Sequence, residues 1–286
     1  MRKLSVSILF IILHNITQAQ VDSAFASVRY TFTHIDDTTQ PENPHKENMV
    51  LYLGKELSLY VNYDKMMRIA NGGTTSAGSS GGGGMMVVSG GRLGGPPPAP
   101  LPASAAAAGN YYKEINGSKT FSLEFAGGKV FSVEDKTPAI DWTITEETKD
   151  LMGVECQKAT GNFKGRTYTA WFSTQLPFSN GPWKLGGLPG LILEAYDAKK
   201  EVMFKLVTYE NAAGTKTAIE IPKDVLKTTP MEMKQFKDAL QRDREAAMGA
   251  NGGGAMGSLR ITSVNVSANG TAPKLKKFNN PIEIVQ

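Results

Sequence analysis

Apolar and polar residues alternate along most of this chain, in short runs broken by Gly, Asn and Pro, and that rhythm predicts strands. Ala24 to Ile35 carries Phe25, Val28, Tyr30, Phe32 and His34 in loose alternation, before a polar, proline-bearing loop from Asp36 to Asn48. Met49 to Leu53 and Leu57 to Tyr63 follow as a pair across Gly54-Lys55-Glu56. Tyr111 to Ile115, Lys119 to Phe125 and Lys129 to Val133 come at short spacing, with Asn116-Gly117 and Gly127-Gly128 as hairpin turns. Trp142 and Ile144 then alternate with Thr143 and Thr145. Val154 to Thr160 and Arg166 to Ser173 make a further pair across Gly161 to Gly165, with Tyr168, Ala170 and Phe172 sharing one face. Glu201 to Tyr209 pairs with a strand entered at Leu191. The expected fold is mainly β: a curved antiparallel sheet or half-barrel.

One segment follows the helical period instead. Thr229 can cap it, Pro230 suits the first helical position, and Glu232 completes a capping box. Met233, Phe236, Leu240 and Ala247 fall on one side, with Lys234, Asp238 and Arg242 on the others. This C-terminal amphipathic helix is expected to pack on the sheet, since its charges are mixed and not cationic. Gly249 and Gly252-Gly253-Gly254 end it. Leu259 to Val266 reads as a last strand before a basic tail closing on Asn279-Asn280-Pro281-Ile282-Glu283.

The stretch Trp183 to Glu194 breaks the alternation in another way, with three glycines and a proline among apolar residues. Leu188-Pro189-Gly190-Leu191 predicts a type II turn with Gly190 at positive φ, leading into the strand Leu191 to Tyr196. Turns usually face water. An apolar one is either packed under the fold or meets a partner, and the packed reading is preferred.

Glycine stands at 30 of 286 residues, and much of the excess lies in two low-complexity insertions, 71–109 and 249–258. Strand-like sequence resumes after the first, so residues 20–286 are read as one domain. Arg2, Lys3, the apolar run Leu4 to Leu13 and Thr17-Gln18-Ala19 predict a signal peptide over residues 1–19. Cleavage after Ala19 would leave an exported protein, periplasmic or released, with no transmembrane anchor. A net charge of +4, dispersed along the chain, gives no footprint for nucleic acid. Cys156 is the sole cysteine, so no internal disulfide is expected. Its alternation with Glu155 and Gln157 puts the thiol on a buried face.

Together these stretches resemble the GLPGLI family, exported proteins known chiefly from Bacteroidetes. The resemblance rests on Gly187-Leu188-Pro189-Gly190-Leu191-Ile192 followed by Leu193-Glu194. Around it stand Trp142-Thr143-Ile144, Glu147-Thr148-Lys149, Gly153, Cys156 with Lys158-Ala159-Thr160, Gly165-Arg166, Ala170-Trp171-Phe172, Gly181-Pro182 and the closing Asn279-Asn280-Pro281-Ile282-Glu283. The family has no established activity, so the resemblance implies an address in the cell envelope and an architecture, not a reaction.

The residues themselves offer little catalysis. After cleavage only His34 and His45 remain, in no HExxH pattern, and no G-x-S-x-G elbow is present. No catalytic residue, metal ligand or cofactor is assigned. The leading expectation is a non-enzymatic binding or envelope-support protein that holds an apolar ligand or a protein partner. Trp142, Trp171, Phe178, Trp183, Leu188, Pro189, Gly190 and Leu191 are the candidate binding residues, each with core packing as its ordinary use. Two other readings stand beside it. One is soft-metal (copper) binding through the 12 methionines, among them Met66-Met67, Met85-Met86, Met231 and Met233. The other is an unrecognised envelope enzyme.

Overall fold

The computed structural model describes residues 21–70, 109–127, 129–211, 217–250 and 279–284. A two-residue β1 (Asp22–Ser23) precedes a first meander of β2 (Ala26–His34), β3 (His45–Leu53), β4 (Leu57–Asn62), β5 (Tyr111–Glu114), β6 (Lys119–Ala126) and β7 (Lys129–Lys136). Helix α1 (Tyr63–Ala70) follows β4 directly. A second meander comprises β8 (Trp142–Leu151), β9 (Val154–Phe163), β10 (Arg166–Ser173), β11 (Leu191–Asp197) and β12 (Val202–Asn211). The chain continues through β13 (Ala218–Ile219), β14 (Leu226–Thr228) and helix α2 (Pro230–Ala250).

The two meanders join where β12 pairs antiparallel with β2, giving a 12-stranded sheet in the order β14-β7-β6-β5-β4-β3-β2-β12-β11-β10-β9-β8. The antiparallel expectation holds for every pair in it except the first, since β14 runs parallel to β7. β1 and β13 form a separate two-stranded sheet.

Chain length forces this sheet to curl. β7 and β8 lie ten strand positions apart, which at ~4.8 Å per strand is about 48 Å across a flat sheet. Only residues 137–141 connect them, and six residue steps reach roughly 20 Å. The sheet therefore bends back on itself without closing into a barrel, because β8 pairs only with β9 among the described residues.

The curl encloses the main core. Val28, Tyr30, Leu51, Leu53, Tyr60 and Tyr111 from the first meander meet Cys156, Ala159, Tyr168, Ala170, Phe172, Ala195 and Phe204 from the second. Strands β3 to β5 are buried on both faces. Their opposite sides give Val50, Tyr52, Leu59, Val61 and Tyr112 to a second cluster. That double burial explains why Met49-Val50-Leu51-Tyr52-Leu53 is a continuous apolar run rather than an alternating one. The second cluster also takes in Ala24 and Ile219 beside the small sheet and, more loosely, Tyr63 and Met66 of α1.

Helix α2 begins as its sequence predicts. Thr229 N and Oγ1 each donate to Glu232 Oε2 at 2.9 Å, and Glu232 N donates back to Thr229 Oγ1 at 3.3 Å. Met233 is buried, with Phe236 and Leu240 packed beside it against Ala126, Phe131 and Val133. The side chain of Ala247 lies outside the described residues, as do Leu259 to Val266 and most of the insertions 71–109 and 249–258.

Three local expectations change. Tyr63 opens α1 instead of closing β4: Asn62 Oδ1 accepts from Lys65 N at 2.8 Å and caps a helix whose first turn holds Asp64. β3 starts at His45, inside the stretch expected to be loop, because it pairs with the whole of β2. β9 runs through Gly161 to Phe163, so the turn into β10 is only Lys164-Gly165, at φ +49° and +77°. Two consecutive positive φ values make it a tight hairpin turn whose twist matches the flanking strands.

Candidate functional site

Between β10 and β11 the chain leaves the sheet for residues 174–190 and lies across the inside of the curl. Its polar groups tie it to both meanders. Asn180 Nδ2 donates to Ser58 Oγ on β4 at 2.8 Å, and Lys113 Nζ on β5 donates to Ser179 O at 3.0 Å. Burial under this segment pushes the Lys113 ammonium below its ordinary value. Trp142 Nε1 on the edge strand β8 donates to Gly186 O at 2.8 Å. Leu185, Leu188, Leu191, Ile192 and Leu193 are all at most 1% exposed. The apolar turn is thus a plug that fills the fold.

Gly190 serves the plug differently from the type II turn expected. The positive-φ glycine here is Gly187 at +87°, not Gly190. Gly190 is constrained by contact: a Cβ on it would stand 2.1 Å from Ser173 O, where the chain enters and leaves the plug. The dipeptide Pro-Gly gave the wrong reason for a real requirement, because only the fold brings Ser173 to that position.

The other candidate binding residues, Trp142, Trp171, Phe178 and Trp183, pack in or on the main core. Trp183 stands at φ +54°, an uncommon conformation for a bulky residue. Its ring lies 5.6 Å from Phe163 and 6.3 Å from Phe204, and Phe204 stacks on Phe32 at 5.1 Å. Phe178 packs on Phe25 at 5.3 Å. Trp171 is 8% exposed and carries Lys149 Nζ 4.3 Å above its ring, with Lys149 paired to Glu194 at 2.7 Å. Pro189 and Gly187 are the exposed residues of the hexapeptide. Leu188→Ser is expected to cost about 3 kcal/mol, from lost burial and an unpaired hydroxyl. Urea unfolding measures it, and a loss below about 1 kcal/mol would mean that the plug does not hold the core.

Sequence reasoning passed over a second constellation. Arg166 opens β10 with a side chain only 3% exposed. Its Nη1 donates to Asp197 Oδ2 at 2.6 Å and to Glu201 Oε2 at 3.1 Å, on either side of the β11–β12 turn. Its Nη2 donates to Asn280 Oδ1 at 2.5 Å and Pro281 O at 2.8 Å, and its Nε to Ile282 O at 3.2 Å. One guanidinium thus spends all three nitrogens, on two carboxylates and on the closing segment. Beside it runs a cleft of about 660 Å³ lined by Asn162, Phe163, Lys164, Gly165, Arg166, Thr167, Glu283 and Ile284. Gly165-Arg166 and the Asn-Asn-Pro run were visible in the sequence, but 114 residues separate Arg166 from Asn280 and no local pattern joins them.

His34, at the end of β2, borders this cluster. Burial pushes its imidazole below the ordinary value of 6.5, against the backbone of Asn280 and the Asp36 carboxylate, while Arg166 and His45 add to the lowering. His34 Nε2 makes no hydrogen bond among the described residues. A depressed folded value means that the unfolded chain takes up the proton first. The stability His34 contributes is therefore complete above pH 6.5 and is lost as pH falls through its folded value. Guanidinium midpoints at pH 7.5 and 5.5 should differ less for His34→Gln than for the natural chain. An equal difference would place the pH dependence elsewhere.

Cys156 has no exposed surface, and burial pushes its thiol up to about 11. Its Sγ lies 3.4 Å from Val154 O, and its strand face points into the core. Thiol labelling is expected to be slow in the native protein and prompt after denaturation; fast native labelling would overturn the buried placement. Met233 is core, Met66 packs loosely on the second cluster, and Met67 and Met231 are 37% and 71% exposed. Met85-Met86 lies outside the described residues. Among the described residues no three His, Cys, Asp or Glu side chains converge as a metal-binding group.

Comparison with known proteins finds a family model that matches a short part of the chain. Residues 162–194 match the model of a family described as a protein of unknown function (Porph_ging). That match runs from the end of β9 through Arg166 and the plug into β11. No curated protein matches the chain. Two solved structures of PNGF-II, in P21 and C2 space groups, align with 75% and 77% of this chain at 12% identity. Their TM-scores are 0.49 and 0.46, and the chain spans only 33% of their length.

Proposed function

We propose that this chain is an exported, cell-envelope protein of the GLPGLI type, without catalytic activity, that holds a protein partner. The observation that carries this reading is the plug. The inside of the curled sheet is occupied by the protein's own Leu185, Leu188, Leu191 and Ile192, so an apolar small molecule would have to displace them. The cleft beside Arg166 mixes polar and charged groups from Asn162, Lys164, Arg166, Thr167 and Glu283 with apolar surface from Phe163 and Ile284, a mixture that suits a peptide. The match of residues 162–194 to a family of unknown function covers the hexapeptide itself and supports the GLPGLI assignment. Among the described residues no helix is long and apolar enough to cross a membrane.

Native mass spectrometry of the protein recovered from its own envelope tests the reading. The expected species begins at Gln20, carries no lipid-sized adduct, and cross-links to protein. Stoichiometric lipid would replace the partner reading with the apolar-ligand one. Retention of residues 1–19 would overturn export. Stoichiometric copper would favour the methionine reading.

A further inference from the structure

The closing segment is seated in the fold as a ligand is seated in a receptor. Residues 279–284 belong to no strand or helix, and their hydrogen bonds and ion pairs reach four separated parts of the body. Asn279 exchanges bonds with Thr38, taking one from Thr38 N at 2.9 Å and giving one to Thr38 Oγ1 at 3.0 Å. Asn279 N and Asn280 N donate to Asp36 O at 3.1 and 3.2 Å. Asn280 Nδ2 donates to Ile35 O at 2.7 Å and Glu201 Oε2 at 3.1 Å, while Arg166 grips its carbonyl oxygen. Pro281 has no N–H to satisfy, and its carbonyl is taken by Arg166. Glu283 pairs with Lys184 at 2.5 Å and Lys164 at 3.6 Å, and Ile284 N donates to Lys164 O at 3.0 Å.

We propose that the pocket formed by Arg166, Asp197, Glu201 and the β2–β3 loop is a recognition site for the Asn-Asn-Pro-Ile-Glu segment, which a second copy of this chain can supply in place of its own. The proposal rests on the protein-partner reading and names the partner. The receptor half is built in advance: Asp197 Oδ1 also accepts from Val202 N at 2.9 Å, fixing the carboxylate that orients Arg166. The segment offers complementary chemistry at three places, the Asn280 amide, the Pro281 carbonyl and the Glu283 carboxylate. The covalent connection does not force the segment into its own body. Residues 251–278 intervene, and 28 residues span up to about 90–100 Å when extended. Reciprocal exchange between two copies would form a closed two-fold dimer with every bond kept. Because Glu283 pairs with Lys184, next to Trp183, occupancy of the pocket also bears on the plug.

Two measurements on the full chain decide it. Asn280→Ala weakens the resident segment. A fluorescent peptide of residues 278–286 should then bind this variant at least tenfold more tightly than it binds the natural chain. Adding Arg166→Lys should abolish that binding, and so should replacing Asn280 by Ala in the peptide. Absence of saturable binding to an Asn280→Ala chain with a native circular-dichroism spectrum would overturn the recognition site. The second measurement uses Thr38→Cys with Asn279→Cys, whose side chains touch, while Cys156 is buried. Oxidation should yield disulfide-linked dimers whose fraction rises with protein concentration. Linkage confined to monomers at every concentration would overturn the exchange. Either failure leaves capture of a different envelope partner untouched, so it is distinguishable from failure of the general reading.

Discussion

Gly190→Ala is expected to destabilise the fold nearly as much as Gly190→Val, by about 3 kcal/mol or more, because the first added carbon already collides with backbone. An ideal Cβ at this position lies 2.1 Å from Ser173 O, 2.6 Å from Ser173 C and 3.0 Å from Thr174 N. None of these is the end of a flexible side chain, so relief requires moving the exit of β10 away from the entry of β11. Those two strand ends carry the plug, and Leu191 N bonds to Leu176 O at 2.9 Å within it. Gly187 provides the contrast. Its φ is +87°, but an added Cβ would meet only Trp142 Nε1 at 3.9 Å. Gly187→Ala should therefore cost only about 1–2 kcal/mol, the usual strain of an L-residue in left-handed backbone. Urea unfolding of the three variants separates contact from conformation. A Gly190→Ala loss no larger than that of Gly187→Ala would remove the contact argument.

Arg166→Met is expected to cost about 3–5 kcal/mol and to free the closing segment. The guanidinium is 3% exposed, Asp197 equally so, and Glu201 18%. Removing the cation leaves two carboxylates close together with little solvent, and it strands the Asn280 and Pro281 oxygens at once. An unmade buried bond costs more than a made one contributes, which is why the loss exceeds that of a surface ion pair. Arg166→Lys keeps the charge but cannot fork to five acceptors, so it should recover only part of the loss. Limited proteolysis read by mass spectrometry should show cleavage after Phe278 appearing in Arg166→Met and staying slow in the natural chain. A melt within about 1 kcal/mol of the natural protein would mean that the cluster is solvated in solution and fastens nothing.

Local chemistry was enough to specify most of the longer strands and the start of α2. Alternation repeats every two residues and a capping box closes over four, so Tyr168, Ala170 and Phe172 on one face, or Thr229 with Glu232, declare themselves without any partner. The same locality placed Cys156 on a buried face and Leu188 under cover. It missed α1, although Asn62 and Asp64 were available as start signals, because an eight-residue helix after a strand has too little period to stand out. The register of β2 with both β3 and β12, the curl demanded by the five-residue link from β7 to β8, and the path of the plug across β4 and β5 came only from the tertiary structure. Each of these depends on which distant residues share a space. The Arg166 pocket is the sharpest case. A charged residue beside a turn reads as solvated until Asp197, Glu201 and Asn280 are brought around it, and a single guanidinium then accounts for burial that no neighbouring residue could have announced.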